Sequence, residues 1–105
     1  MNTSVSSVVV YVTYHGTSQD RFDRDYYITA HLPLVIRAWS QYGLLGVTAF
    51  FPAPAQEGTV ALCECIFRDE CAVEAAFASP EASAVMADVL RYTALAPRRL
   101  RAVAF

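Results

Sequence analysis

His31 is the side chain in this sequence best suited to proton chemistry near neutral pH, because an imidazole ionises close to pH 6.5. It lies in the run Tyr26-Tyr27-Ile28-Thr29-Ala30-His31-Leu32-Pro33-Leu34. Tyr27 precedes it by four residues, the spacing at which helical side chains stack or bond. Burial lowers an imidazole's pKa and keeps it neutral at pH 7, so His31 would serve as a general base or orient a ligand. A core histidine bonded to a backbone carbonyl, or to Tyr27, has the same pattern. Glu64 is the second conspicuous group. It stands between Leu62 and Ile66 on an apolar strand, where an unpaired carboxylate is costly. Either an arginine pairs with it on the helix side, or it works in a cavity as an acid or base. Asp88 and Tyr92 are four apart and are read as a pair holding a helix end. Tyr14 and His15 end a strand, where they would line a cavity mouth or simply be solvated.

Cys63, Cys65 and Cys71 make an odd count, and neither His15 nor His31 completes a familiar zinc spacing with them. They are read as buried thiols acting as small hydrophobes, with no metal site expected. There is no Gly-x-Gly-x-x-Gly, phosphate loop or Gly-x-Ser-x-Gly, so no cofactor is expected from a fingerprint.

The elements that must position these groups follow from pattern. Residues 7–14 are almost all β-branched or aromatic and read as a strand. Ser18 or Asp20 would cap a helix running to about Tyr42, where Gly43 supplies a left-handed stop. Leu44 to Phe51 and Thr59 to Phe67 are further strands, separated by Pro52-Ala53-Pro54 and a loop. Asp69 caps a helix to about Ala78, and Pro80 restarts a helical piece that runs to about Thr93. Arg98 to Phe105 is the last strand. The order βαββαβ is that of an α+β, ferredoxin-like fold, a four-stranded antiparallel sheet with both helices on one face.

On the long helix, at about 100° per residue, Phe22, Tyr27, His31, Leu34, Val35, Ala38 and Tyr42 share one apolar face. Pro33 leaves the Thr29 carbonyl without its usual donor and is expected to bend the helix beyond His31. Trp39 borders this stripe and is read as packing. The strands are apolar on both faces: Val8, Val10 and Val12 alternate with Val9, Tyr11 and Thr13. Two helices cover one face, leaving a second of roughly 500 Å² by strand spacing and rise. A symmetric second copy is the simplest cover, so a homodimer with an apolar cavity is expected.

Composition sets outer bounds. The chain has 105 residues, 55% hydrophobic and 17% charged. That composition fits one domain over 1–105 and excludes intrinsic disorder. No uncharged apolar run is long enough to span a membrane. A net charge of −2 argues against a nucleic-acid partner. Arg98, Arg99 and Arg101 are read as an exposed edge that resists aggregation. Met1-Asn2-Thr3-Ser4 lacks the basic start of a signal peptide, so a cytoplasmic location is expected.

The stretch Arg21-Phe22-Asp23-Arg24-Asp25-Tyr26-Tyr27-Ile28-Thr29-Ala30-His31-Leu32-Pro33-Leu34-Val35 resembles the opening signature of the EthD family, Phe-Asp-x-x-Tyr-Tyr-x-x-x-His-x-Pro-Leu. The stretch Val85 to Thr93, followed by Pro97, is similar to that family's second-helix pattern, departing from it at Leu90-Arg91 and Ala94. The resemblance implies a dimeric α+β barrel, and its namesake belongs to a bacterial system that degrades a fuel ether through an oxygenase. Relatives on this barrel include cofactor-free monooxygenases, isomerases, dehydratases and haem enzymes, so fold does not choose the reaction. A small apolar or aromatic compound would then bind in the cavity, with His31 as base, Tyr27 orienting it, and Tyr11, Leu34 and Glu64 contacting the ligand. The setting would be a catabolic or oxidative pathway. A non-catalytic ligand-binding accessory protein is the alternative.

Overall fold

The computed structural model describes residues 7–53 and 58–103. Strand β1 (Val8–Gly16) leads into helix α1, residues 24–42, then β2 (Leu44–Phe50) and β3 (Gly58–Phe67). Helix α2 (Glu70–Phe77), helix α3 (residues 82–91) and strand β4 (Arg98–Ala102) complete it. The sheet order is β2-β3-β1-β4, and β1·β3, β1·β4 and β2·β3 all pair antiparallel. This is the ferredoxin-like arrangement the element order predicts. The last two residues of the expected fourth strand lie outside the described residues.

Alternation along the central strands fixes what each face carries. Val10, Tyr14, Ala61, Cys63, Cys65 and Phe67 are buried under the helices. Val9, Tyr11, Thr13, Leu62, Glu64 and Ile66 fall on the other face and are only half-buried. No helix covers that second face among the described residues, and no described helix is long and apolar enough to cross a membrane.

Helix α1 starts later than its sequence suggests. Its N-cap is Asp23, whose carboxylate accepts from the Tyr26 amide at 3.0 Å. Asp20 instead closes the preceding loop, accepting from the Thr17 amide at 2.8 Å. After an α-turn at Arg24–Tyr26, the helix widens into a π segment, Tyr27–His31, before resuming as α-helix at Leu32–Trp39. The Leu32 amide donates to the Tyr27 carbonyl, five residues back. Pro33, which has no amide to give to Thr29, sits at the start of the resumed segment. The proline therefore follows a wider turn that takes in His31, a feature the sequence expected only as a bend.

A 3-10 turn, Ser40–Tyr42, ends α1 at Gly43, whose φ of 111° is the left-handed stop read from the sequence. A β-carbon there would stand 2.6 Å from that of Ala72, so glycine is required twice over. Asp69 caps α2 through the Ala72 amide at 2.8 Å, as expected. Pro80 lies in the turn before α3 rather than at its first residue, because the helix begins at Ala82. It tightens to a 3-10 turn over Asp88–Arg91.

Candidate functional site

Helices α1 and α3 lie across the sheet and enclose, with it, a cavity of about 330 Å³. That size is within the range of small-molecule pockets, about 300–1,000 Å³. Tyr14, Cys63 and Cys65 line it from the sheet, Tyr27, His31, Val35 and Trp39 from α1, and Val85, Met86 and Val89 from α3. Phe77, Pro97 and Arg99 complete the wall.

His31 is 4% exposed and its ring is held on three sides. Tyr27 stacks on it at 5.4 Å between centroids with 15° between planes, which realises the i,i+4 contact read from the sequence. Tyr92 packs against it at 4.7 Å. Nδ1 lies 3.0 Å from Asp88 Oδ2. The other oxygen of that carboxylate accepts from the Tyr26 hydroxyl at 2.8 Å.

A carboxylate can only accept, so Nδ1 carries the proton and donates it to Asp88. Nε2 is then the basic nitrogen, and it has no hydrogen-bond partner among the described residues. Burial lowers the His31 pKa below its usual 6.5 and outweighs the opposing pull of Asp88, leaving the ring neutral at pH 7. For Asp88 burial acts upward, but the hydrogen bonds from His31 and Tyr26 overcome it and hold the carboxyl below its ordinary value. The arrangement is an oriented, uncharged imidazole backed by an ionised carboxylate, on the wall of an apolar cavity.

Around this pair lies a cluster of phenols and thiols. The Tyr14 and Tyr92 hydroxyls are 2.6 Å apart in the core. Burial pushes the Tyr14 pKa up to about 12 and those of Tyr27 and Tyr92 upward as well, so all three stay protonated. Cys63 and Cys65 project the same way from β3 with their sulfurs 3.8 Å apart. Their contact makes Cys63 the easier of the two to ionise, and Cys65 the harder. Cys71 is exposed, unlike the buried thiol expected of it. The indole N–H of Trp39 is buried without an acceptor among the described residues.

The structure brings His31 and Tyr27 together at the cavity but separates the other sequence-predicted contacts from it. Tyr11 and Glu64 are cross-strand neighbours on the opposite face of the sheet, joined at 2.9 Å from the tyrosine hydroxyl to the carboxylate. They do not line the cavity that holds His31, and among the described residues Glu64 is bonded to neither an arginine nor the helix side. Leu34 packs half-buried against the core, while its neighbour Val35 lines the cavity. Asp88 is the residue that sequence reasoning placed in the wrong partnership. It bonds to His31 and Tyr26 instead of Tyr92, whose hydroxyl goes to Tyr14. No local spacing signals this partnership, since its members are 57 and 62 residues apart in sequence.

The architecture is that of the ferredoxin-like proteins that include the EthD-like and antibiotic-monooxygenase-like structures. An EthD-like protein from Ralstonia eutropha JMP134 superposes with a TM-score of 0.81 at 24% identity, covering 94% of this chain and 92% of its own. An EthD family protein from Bacillus halodurans C-125 gives 0.68 at 16% identity, covering 93% and 100%. SnoaB, a cofactor-independent oxygenase from Streptomyces nogalater, gives 0.63 at 11% identity, covering 95% and 97%. At these identities the likeness is one of fold. No protein-family model matches the chain, and no curated protein matches it.

Proposed function

We propose that this chain is an EthD-like, homodimeric α+β barrel protein that binds a small apolar or aromatic organic compound in the cavity and moves a proton on it through His31. The observation that carries the reading is the His31–Asp88 pair, with Nδ1 committed to the carboxylate and Nε2 left basic at the cavity wall. Taking a proton from a carbon or oxygen acid makes His31 an imidazolium, which the adjacent carboxylate stabilises. Tyr27 keeps the ring in its plane by stacking. The aliphatic side chains of Val35, Val85 and Val89 give the ring of such a compound an apolar wall. The sheet face bearing Tyr11 and Glu64 is covered by the second copy, in keeping with its half-buried apolar side chains. An oxidative or catabolic setting is supported by the oxygenase among the proteins of this fold.

Deuterium exchange tests the reading. Enolisable cyclic ketones and phenols are incubated with the protein in deuterated buffer, and label entering the acidic position is followed by NMR. His31→Gln is expected to abolish catalysed exchange while the fold is retained. Unchanged exchange in that variant would remove His31 from the chemistry. A compound bound in the cavity but unlabelled in both proteins would make the protein a non-catalytic binder.

A further inference from the structure

The cavity wall carries one permanent positive charge, Arg99, which has no salt-bridge partner among the described residues. Arg99 is on β4 opposite Val12 of β1, and both line the cavity. Strand alternation separates it from Arg98, which pairs with Thr13 and faces the other side of the sheet. Three other arginines have polar partners. Arg101 pairs with Glu70, Arg68 with Asp69, and Arg21 with the Leu90 and Arg91 carbonyls. Arg99 has no carboxylate partner among the described residues. Its guanidinium lies instead 4.2 Å from the centroid of the Phe77 ring, another cavity wall. Stacking there holds the fork in place and dries one of its faces while leaving its N–H groups unspent.

We propose that Arg99 makes this cavity a site for small organic acids: a compact apolar or aromatic ring system bearing one carboxylate, which the Arg99 guanidinium receives at the mouth. The inference rests on the cavity being the binding site, as proposed above, and adds the ligand's chemical class. One planar fork matches one carboxylate through two parallel hydrogen bonds. The remaining wall is built for hydrocarbon, from Val35, Phe77, Val85 and Val89. Arg99 is exposed at the cavity's edge, so the acid's charge stays near water while its ring goes inside. An acid held there is fixed at one end, which presents a chosen ring position to His31. The exposed edge strand read from the arginine cluster is where the structure places Arg98, Arg99 and Arg101, and the ligand role is added to it at Arg99.

Calorimetric titration with 2-naphthoate and its uncharged isostere 2-naphthamide at low salt tests this. Native protein is expected to bind the acid about tenfold more tightly than the amide, with the preference shrinking as salt is added. Arg99→Met keeps most of the stem over Phe77 and should bring the acid down to the affinity of the amide. Arg99→Lys should retain part of the preference, and Arg101→Met all of it. Equal affinity of native protein for the two probes, or a preference that survives Arg99→Met, would overturn the assignment. The single tryptophan separates this from the parent reading. If both probes bind equally and shift the Trp39 indole resonance, the cavity stands and the acid preference falls. If neither probe shifts it, both readings fall.

Discussion

Tyr26 and His31, five positions apart on one helix, donate to opposite oxygens of a single carboxylate on another. In a regular α-helix, residues five apart point about 140° away from each other. The π segment Tyr27–His31 adds a residue to the turn and brings the two toward one side. The dyad thus depends on a local departure from helix geometry, next to a proline that could not have continued the regular ladder.

Asp88→Asn removes the acceptor that fixes the His31 tautomer. An amide can donate as well as accept, so the proton is expected to spread over both ring nitrogens, read from imidazole ¹⁵N shifts. The His31 pKa should fall further, because the opposing pull of the carboxylate is lost while burial remains. Catalysed exchange should drop with it, and stability should decline by about 1–3 kcal/mol from the hydrogen bonds lost. An unchanged tautomer would mean that Asp88 does not orient the ring.

His31 also sets a pH dependence. Its pKa is lower folded than unfolded, so the unfolded chain binds the proton first as pH falls. Stability contributed by the neutral imidazole is present above about pH 6.5. It is lost progressively as pH drops from there to the folded-state pKa. Asp88, depressed in the fold, adds a separate loss at lower pH as its carboxylate is protonated. Urea unfolding across this range should show the first slope in native protein and not in His31→Gln.

Tyr14→Phe leaves the Tyr92 hydroxyl buried without its partner at 2.6 Å. A cost of about 1–3 kcal/mol is expected from that orphaned group. The double variant Tyr14→Phe with Tyr92→Phe removes both polar groups and should recover part of the loss. Thermal denaturation of the three proteins checks it. Costs that simply add would show that the two hydroxyls do not depend on each other.

Leu62→Lys places a charge at the centre of the open sheet face, beside the Tyr11–Glu64 pair. Native mass spectrometry should give a dimer of about twice 11.6 kDa for the native chain and a monomer for the variant. A native monomer would mean that this face is not covered by a second copy.

The strand pattern, the Gly43 stop and the Asp69 cap were legible because each is a local matter of residue type and spacing. So was the Tyr27–His31 stack, which needs only four residues of one helix. Helical periodicity also put Leu34 beside His31, but the π segment changes the register of the face between Tyr27 and the resumed helix. In the structure Val35 lines the cavity and Leu34 does not. Alternation on β3 showed Glu64 opposite in sense to Cys63 and Cys65, yet not which sense faces the helices. The Asp88 partnership was hidden because its partners are 57 and 62 residues away in sequence. Only the packing of α3 on α1 makes them neighbours.

The two helices are fastened unequally at their ends. Where α1 begins and α3 finishes, the Asp23 amide donates to the Tyr92 carbonyl at 2.9 Å and the Thr93 hydroxyl to the Arg21 carbonyl at 2.7 Å. The Arg21 side chain grips two further carbonyls there. At the far end the Tyr42 hydroxyl donates to the Glu81 carboxylate at 2.5 Å, joining α1 to the turn before α3. Met86, half exposed, belongs to the cavity wall on α3. The seam between the helices is therefore graded along its length, most heavily bonded on the side of Asp88 and its partners and most sparsely on the side of Glu81.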